Sequence, residues 1–209
     1  MIANFAVSAI LLRTGFMNFL AHIYLSGDNE QLMIGNFIAD FVKGKKKDEY
    51  PDEIRKGIEL HRFIDHFTDH HEVVLSSIRR IHGRQEKYSG VVVDILYDHF
   101  LAANFSSYSA VPLQEFSQKT YAALKANWHA LPPDVHRFLP FMIERNWLLN
   151  YATVDGIGRA LTGLSGRVKY ENRMDEALQD LQEHYASLEA DFTKFFPDLM
   201  RGVSERILL

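Results

Sequence analysis

The chain contains no cysteine. Thiolate zinc sites, disulfide scaffolds and cysteine nucleophiles are therefore excluded, and a bound metal has to be held by histidine, carboxylate, backbone or water. Proline and glycine are sparse, at 6 and 12 in 209 residues, which excludes collagen-like and low-complexity architectures. Charge of one sign is not in excess: 23 basic against 27 acidic side chains leave a formal net charge of −4. That balance argues against a general polyanion-binding surface and against nucleic acid as a partner, and it leaves room for a local basic patch. No apolar run reaches the roughly 20 residues of a membrane span, so no membrane association is expected. Phosphate-binding glycine loops, the nucleophile elbow GxSxG and the zinc motif HExxH are also missing, and nucleotide-fold and serine-hydrolase chemistry lose their support with them.

What remains is an ordinary globular composition, 47% hydrophobic, with 15 Phe and 9 Tyr to fill a core. One domain suits this length. The first residues, MIANFAVSAILL, carry no charge before Arg13 and so lack the basic residues that precede the apolar stretch of a secretory signal. Met17 then opens MNFLAHIYLSGDNE. Residues 1–16 read either as an extra helix or as sequence upstream of an internal start, with residues 17–209 as the functional domain. A cytoplasmic location is expected.

The dominant period is helical. Ile54, Ile58, Leu60, Phe63, Ile64 and Phe67 recur at helical spacing over 52–71, and Pro51, Asp52 and Glu53 make a favourable first turn. Further helices are expected over 89–104, 112–127 and 153–164. One over 132–153 should kink or break at Pro140, and a long amphipathic one over 173–196 should stop at Pro197. No alternating strand or Asn-Gly hairpin stands out. The fold class is all-α: a single-domain helical bundle.

Ten histidines matter less than their company. His61, Asp65 and Asp69 fall at i, i+4 and i+8 on one helix face, and Asp94 and Asp98 repeat the i, i+4 spacing with His99 adjacent. Asn36 and Asp40 do the same inside GNFIADFV, and His22 sits in NFLAHIYL. An ionised carboxylate in an apolar setting is costly unless paired or bound to a cation, and a mixed imidazole and carboxylate set suits Mn, Fe, Zn or Mg. Bland readings stand beside this one. A single histidine on an amphipathic helix is usually structural, and an i, i+4 His–Asp pair is equally a helix-stabilising contact. Asp69, His70 and His71 read equally as a solvated helix end, and Asp40 as a polar residue before the turn at Gly44. The run Lys43, Lys45, Lys46 and Lys47, with Arg62 near it, is either a solvated turn or a dock for an acidic partner or a phosphate. The aromatic residues Phe138, Phe141, Trp147 and Tyr151 read as core.

Taken together, MNFLAHIYLS (17–26), GNFIADFVKG (35–44), GIELHRFIDHFTD (57–69), VVVDILYDHFLAANF (91–105) and LEADFTKFFPDLM (188–200) resemble the acyl carrier protein phosphodiesterase family. The resemblance spans about residues 17–200, and the order and spacing of HRxID, TD and DHFL carry it. It implies an HD-domain-like, metal-dependent hydrolase that removes the 4′-phosphopantetheine arm from holo-acyl carrier protein, cutting the phosphodiester to the carrier serine. Manganese is the implied metal, with Mg, Fe or Zn suiting the same donors. Asp40, His61, Asp65 and Asp98 are then the implied metal contacts, Asp94 and His99 the residues that orient ligands or move protons, and His22, Asn36 and Asp69 additional positions. Lys43, Lys45, Lys46, Lys47 and Arg62 would meet the acidic carrier. One departure is plain: the chain has Asp-His at 65–66, 69–70 and 98–99 but no His-Asp dipeptide, so ligand roles do not transfer from the wider HD superfamily by motif. The alternatives from other classes are a phosphohydrolase acting on a nucleotide or other small phosphoester, and a non-catalytic metal-binding helical module.

Overall fold

The computed structural model describes residues 18–207; the expectations for residues 1–16 lie outside them. Ten α-helices make up the described chain, joined by short 3-10 turns. In order they are α1 (Phe19–Leu25), α2 (Glu30–Ile38), α3 (Asp52–His70), α4 (Glu72–Gln85), α5 (Ser89–Ala103), α6 (Leu113–Ala126), α7 (Pro133–Glu144), α8 (Trp147–Asn150), α9 (Val154–Ser165) and α10 (Ala177–Ile207). Among the described residues there is no strand, and no helix is long and apolar enough to cross a membrane.

The core is organised around α5. Val91, Val92, Val93, Ile95, Leu96, Phe100 and Leu101 of this helix are all buried, as expected of a helix that is apolar on every side. Helices α1, α4, α9 and α10 pack around it. Asp98 and His99 lie within the same buried helix, so their polar atoms must find partners inside the protein. Helix α3 starts at Asp52, directly after Pro51, where the acidic first turn and the proline place it. The chain passes from α3 into α4 through His71 alone. Its Nδ1 accepts the Val73 amide at 3.3 Å, capping a helix that apolar spacing in the sequence does not single out.

Three sequence expectations are corrected here. Pro197 does not stop the last helix, which runs on to Ile207. Proline removes one backbone donor there, but Phe195, Phe196, Leu199 and Val203 on both sides of it are buried and hold the helix to the core. Pro140 does not break its helix either, since it lies inside α7. The break comes at Asn146, whose φ of 42° puts it in the left-handed region, open to asparagine more readily than to most residues. The aromatic group is not all core: Tyr151 is buried, Phe138 and Trp147 are half-buried, and Phe141 is 53% exposed.

Candidate functional site

The polar centre of the molecule lies where α1, α2 and α3 converge. Gly35 on α2 and Gly57 on α3 bring those two backbones into direct contact, which sets Asn36 against His61 one turn further along α3. His22 arrives from α1, with its ring stacked on that of His61 at 4.0 Å between centroids. The Nε2 atoms of both histidines face Asp65: His22 lies 3.3 Å from Oδ1, and His61 lies 3.3 Å from Oδ2. Asp40, on the 3-10 turn Ala39–Phe41 that ends α2, completes the group with Oδ1 3.3 Å from His61 Nε2. One ligand atom each from His22, His61 and Asp65 fits within a span of 4.8 Å.

The opposite ring nitrogens also have partners. His22 Nδ1 lies 2.9 Å from Asn36 Oδ1, and His61 Nδ1 lies 2.9 Å from the Asn36 main-chain oxygen. Both histidines and Asn36 are buried, whereas Asp65 is open to solvent on one side. Burial alone would push the His61 imidazole down. The Asp65 and Asp40 carboxylates outweigh it and carry the pKa up to about 9. Burial likewise pushes the Asp65 carboxyl up, but His61 and His22 hold it below the usual carboxylate range.

Asp94 on α5 is pushed well above its ordinary value, by burial first and then by the charges of Asp69, Asp65, Asp98 and Asp40. Five carboxyl groups thus share one electrostatic neighbourhood with two imidazoles. Such crowding favours either a retained proton or a bound cation. The donor set fits a divalent first-row ion that displaces the imidazole proton: two imidazole nitrogens on one side, carboxylate oxygens on the other, and an exposed edge at Asp65.

Other residues singled out from the sequence have different surroundings. Asp98 turns toward the start of α1, accepting the Leu20 and Ala21 amides at 2.8 Å each. Burial pushes its carboxyl up to about 7 against the pull of those two donors. His99 turns away toward the Tyr151 carbonyl at 2.8 Å and the Tyr185 hydroxyl at 3.2 Å, and burial lowers its pKa. Asp69 is exposed, one turn beyond Asp65. Lys43, Lys45 and Lys46 are exposed around the 3-10 turn Gly44–Glu49, while Lys47 is tied to Glu59 of α3 at 2.9 Å. That ion pair sets the basic turn beside the segment of α3 that carries His61 and the exposed Arg62. Ser26 was not legible as a site residue. Its hydroxyl receives Asn36 Nδ2 at 3.0 Å, a contact between residues on different elements that no local spacing announces.

Comparison with known proteins points one way. The profile of the acyl carrier protein phosphodiesterase family matches residues 17–199. Proteins named acyl carrier protein phosphodiesterase are similar over nearly their whole length. The one from Escherichia coli is 31% identical over 193 residues, covering 92% of this chain and all of its own. The one from Klebsiella pneumoniae is 32% identical over 186 residues, covering 88% of this chain and 96% of its own. The one from Photorhabdus laumondii is 29% identical over 193 residues, covering 91% and 96%. No solved structure matches the chain.

Proposed function

The chain belongs to the acyl carrier protein phosphodiesterase family, and from that premise we propose that it hydrolyses the phosphodiester joining 4′-phosphopantetheine to the serine of holo-acyl carrier protein. The products are the apo-carrier and free 4′-phosphopantetheine. The observation that carries the catalytic part of this reading is the convergence of His22, His61 and Asp65 within 4.8 Å, with Asp40 against His61. Those four residues would hold a divalent cation, manganese by family resemblance. When bound, such an ion acidifies water toward a pKa of about 7 and offsets charge on phosphoryl oxygens.

The chain's own groups supply the rest. Hydrolysis forms a bond from water oxygen to phosphorus and breaks the bond from phosphorus to the serine oxygen, which leaves with a proton. Asp94, whose carboxyl burial and the neighbouring carboxylates push upward, is the group we assign to moving that proton, in line with the role the family resemblance implies for it. His61 and Asp65 orient the phosphate edge of the site, and half-buried Asp65 marks the side from which substrate enters. Lys43, Lys45 and Lys46 face solvent around the 3-10 turn Gly44–Glu49 that follows Asp40, and Arg62 faces solvent next to His61 on α3. Together they form a basic rim for an acidic carrier surface, and rim charges of this kind act chiefly on encounter.

The direct test is intact-mass spectrometry of holo-acyl carrier protein incubated with the chain and Mn²⁺, with and without chelator, beside His61→Ala and Asp65→Ala. Loss of the phosphopantetheine mass that needs metal and is missing in both variants is expected. A folded, Mn²⁺-loaded wild-type protein that leaves the carrier intact would sink the carrier reading. Turnover of a nucleotide or a generic phosphodiester by the same sample would then favour the small-phosphoester alternative.

A further inference from the structure

We infer that Asn36 is the positioning residue for both imidazoles of the site, and that it divides the work between its side chain and its backbone. The side-chain oxygen fixes His22, and the main-chain oxygen fixes His61.

The orientation of the Asn36 amide follows from its partners. Nδ2 donates to the His22 carbonyl at 2.7 Å and to Ser26 Oγ at 3.0 Å. Ser26 Oγ spends its own proton on the His22 carbonyl at 2.9 Å, so its oxygen faces Asn36 as an acceptor. Both acceptors require the NH₂ end of the amide. Oδ1 is therefore the atom that meets His22 Nδ1 at 2.9 Å, and it also lies 3.2 Å from His61 Nδ1. The main-chain oxygen of the same residue meets His61 Nδ1 at 2.9 Å.

An amide or peptide oxygen only accepts, so each Nδ1 has to carry a proton. Asp65 and, for His61, Asp40 accept at Nε2 in the same way, so a ring carries a second proton there until alkaline pH or a bound cation removes it, and the lone pair is then left on Nε2. Both Nε2 atoms face Asp65 at 3.3 Å. A single fully buried residue thus gives two histidines from different helices the same tautomer and aims both lone pairs at one point. Partners of this outer kind fix ring orientation, and their loss typically weakens metal binding about 10- to 100-fold. The use of the arrangement rests on the metal-dependent hydrolase reading above, whereas the arrangement itself does not.

The division of work makes the inference testable. Nitrogen-15 histidine spectra of the metal-free full-length chain, at a pH alkaline enough for both rings to be neutral, should show Nδ1–H on His22 and on His61. In Asn36→Leu, which keeps the volume and the backbone oxygen but loses Oδ1, His22 should move toward the Nε2–H tautomer while His61 keeps Nδ1–H. In Asn36→Asp, which keeps an acceptor for His22, both rings should stay Nδ1–H. Mn²⁺ affinity, read from the free-ion electron paramagnetic resonance signal, should weaken about 10- to 100-fold in Asn36→Leu. A role in packing alone would move neither tautomer.

Nε2–H on either wild-type ring overturns the inference, as does an unchanged His22 ring in a folded Asn36→Leu protein. If Asn36→Leu does not fold, Asn36→Asp decides: loss of Nδ1–H on His22 in that variant overturns the inference. Wild-type tautomers as stated without any Mn²⁺ binding would overturn the metal-dependent function and leave the assignment of Asn36 intact.

Discussion

Gly35 and Gly57 touch backbone to backbone across the α2–α3 crossing: a β-carbon on Gly35 would lie 2.9 Å from the Gly57 Cα and 1.9 Å from the Ile54 carbonyl oxygen. The same holds in reverse, with a β-carbon on Gly57 falling 2.1 Å from the Leu32 carbonyl oxygen. Neither position tolerates even a methyl group without the helices moving apart, because the obstructing atoms are backbone. Asn36 and His61 are the neighbours that this approach brings into hydrogen-bond range.

Gly57→Ala should therefore act on the site as well as on the fold. Overpacking costs about 1–3 kcal/mol, roughly 2–12 °C of Tm in a chain of this size. The variant should also bind Mn²⁺ more weakly than its remaining stability would suggest, since the Asn36–His61 contact opens. Differential scanning calorimetry paired with Mn²⁺ titration checks both. A destabilised variant with wild-type affinity would show that the crossing serves stability alone.

Asp98 should behave as a helix cap. Removing it with Asp98→Ala leaves the Leu20 and Ala21 amides without their acceptor, at about 1–3 kcal/mol for buried unsatisfied donors. The loss should already be present in full in excess chelator, where no metal bond exists to be lost. A Tm deficit that appears only with metal present would instead make Asp98 a ligand.

The pH dependence of stability should carry the signature of His99. Its folded pKa lies below the ordinary 6.5 because burial disfavours the charged ring. As pH falls through 6.5 the unfolded chain takes up a proton that the folded chain refuses, so the stabilising contribution is present above that value and is lost below it. His99→Gln removes this term, and its denaturant midpoint should fall less between about pH 7 and pH 5 than that of the wild type. Parallel slopes in the two proteins would remove His99 as the cause.

Salt should act on docking. If the exposed Lys43, Lys45 and Lys46 receive an acidic carrier, raising ionic strength increases KM for the carrier and leaves kcat nearly unchanged. Replacing the three with alanine should raise KM about 10-fold or more at low salt and flatten the salt response. Steady-state kinetics at two or three salt concentrations suffice, and an unaltered salt response in the triple variant would remove these lysines from the dock.

Much of the fold was legible in the sequence because helical periodicity is a local property. Ile54, Ile58 and Ile64 mark the buried face of α3 without any knowledge of what covers it. Element ends were less legible: prolines at 140 and 197 looked like breaks, and both are held inside helices by packing that only the tertiary structure supplies. The site shows the same division. His61 and Asp65 share a helix, so their spacing could be read. His22 joins them from α1, and Asn36 joins from α2 through its backbone carbonyl as much as its side chain. A main-chain acceptor leaves no trace in residue type. Asp98 and His99 were visible as polar residues in an apolar helix, but their partners are backbone amides, a backbone carbonyl and the distant Tyr185 hydroxyl, none of which local spacing announces.

The cap on α1 bears on the order in which the molecule assembles. A helix of seven residues has too few internal bonds to persist alone in water, and the carboxylate that closes its first turn comes from a position 78 residues away. Helix α1 therefore gains its hold from α2 and α5 together, and His22 reaches Asp65 through that packing. The cluster of His22, His61 and Asp65 is then among the features that wait on tertiary packing. A cation held by these residues, as proposed above, would meet a chain already folded, and its removal by chelator should leave the helices in place.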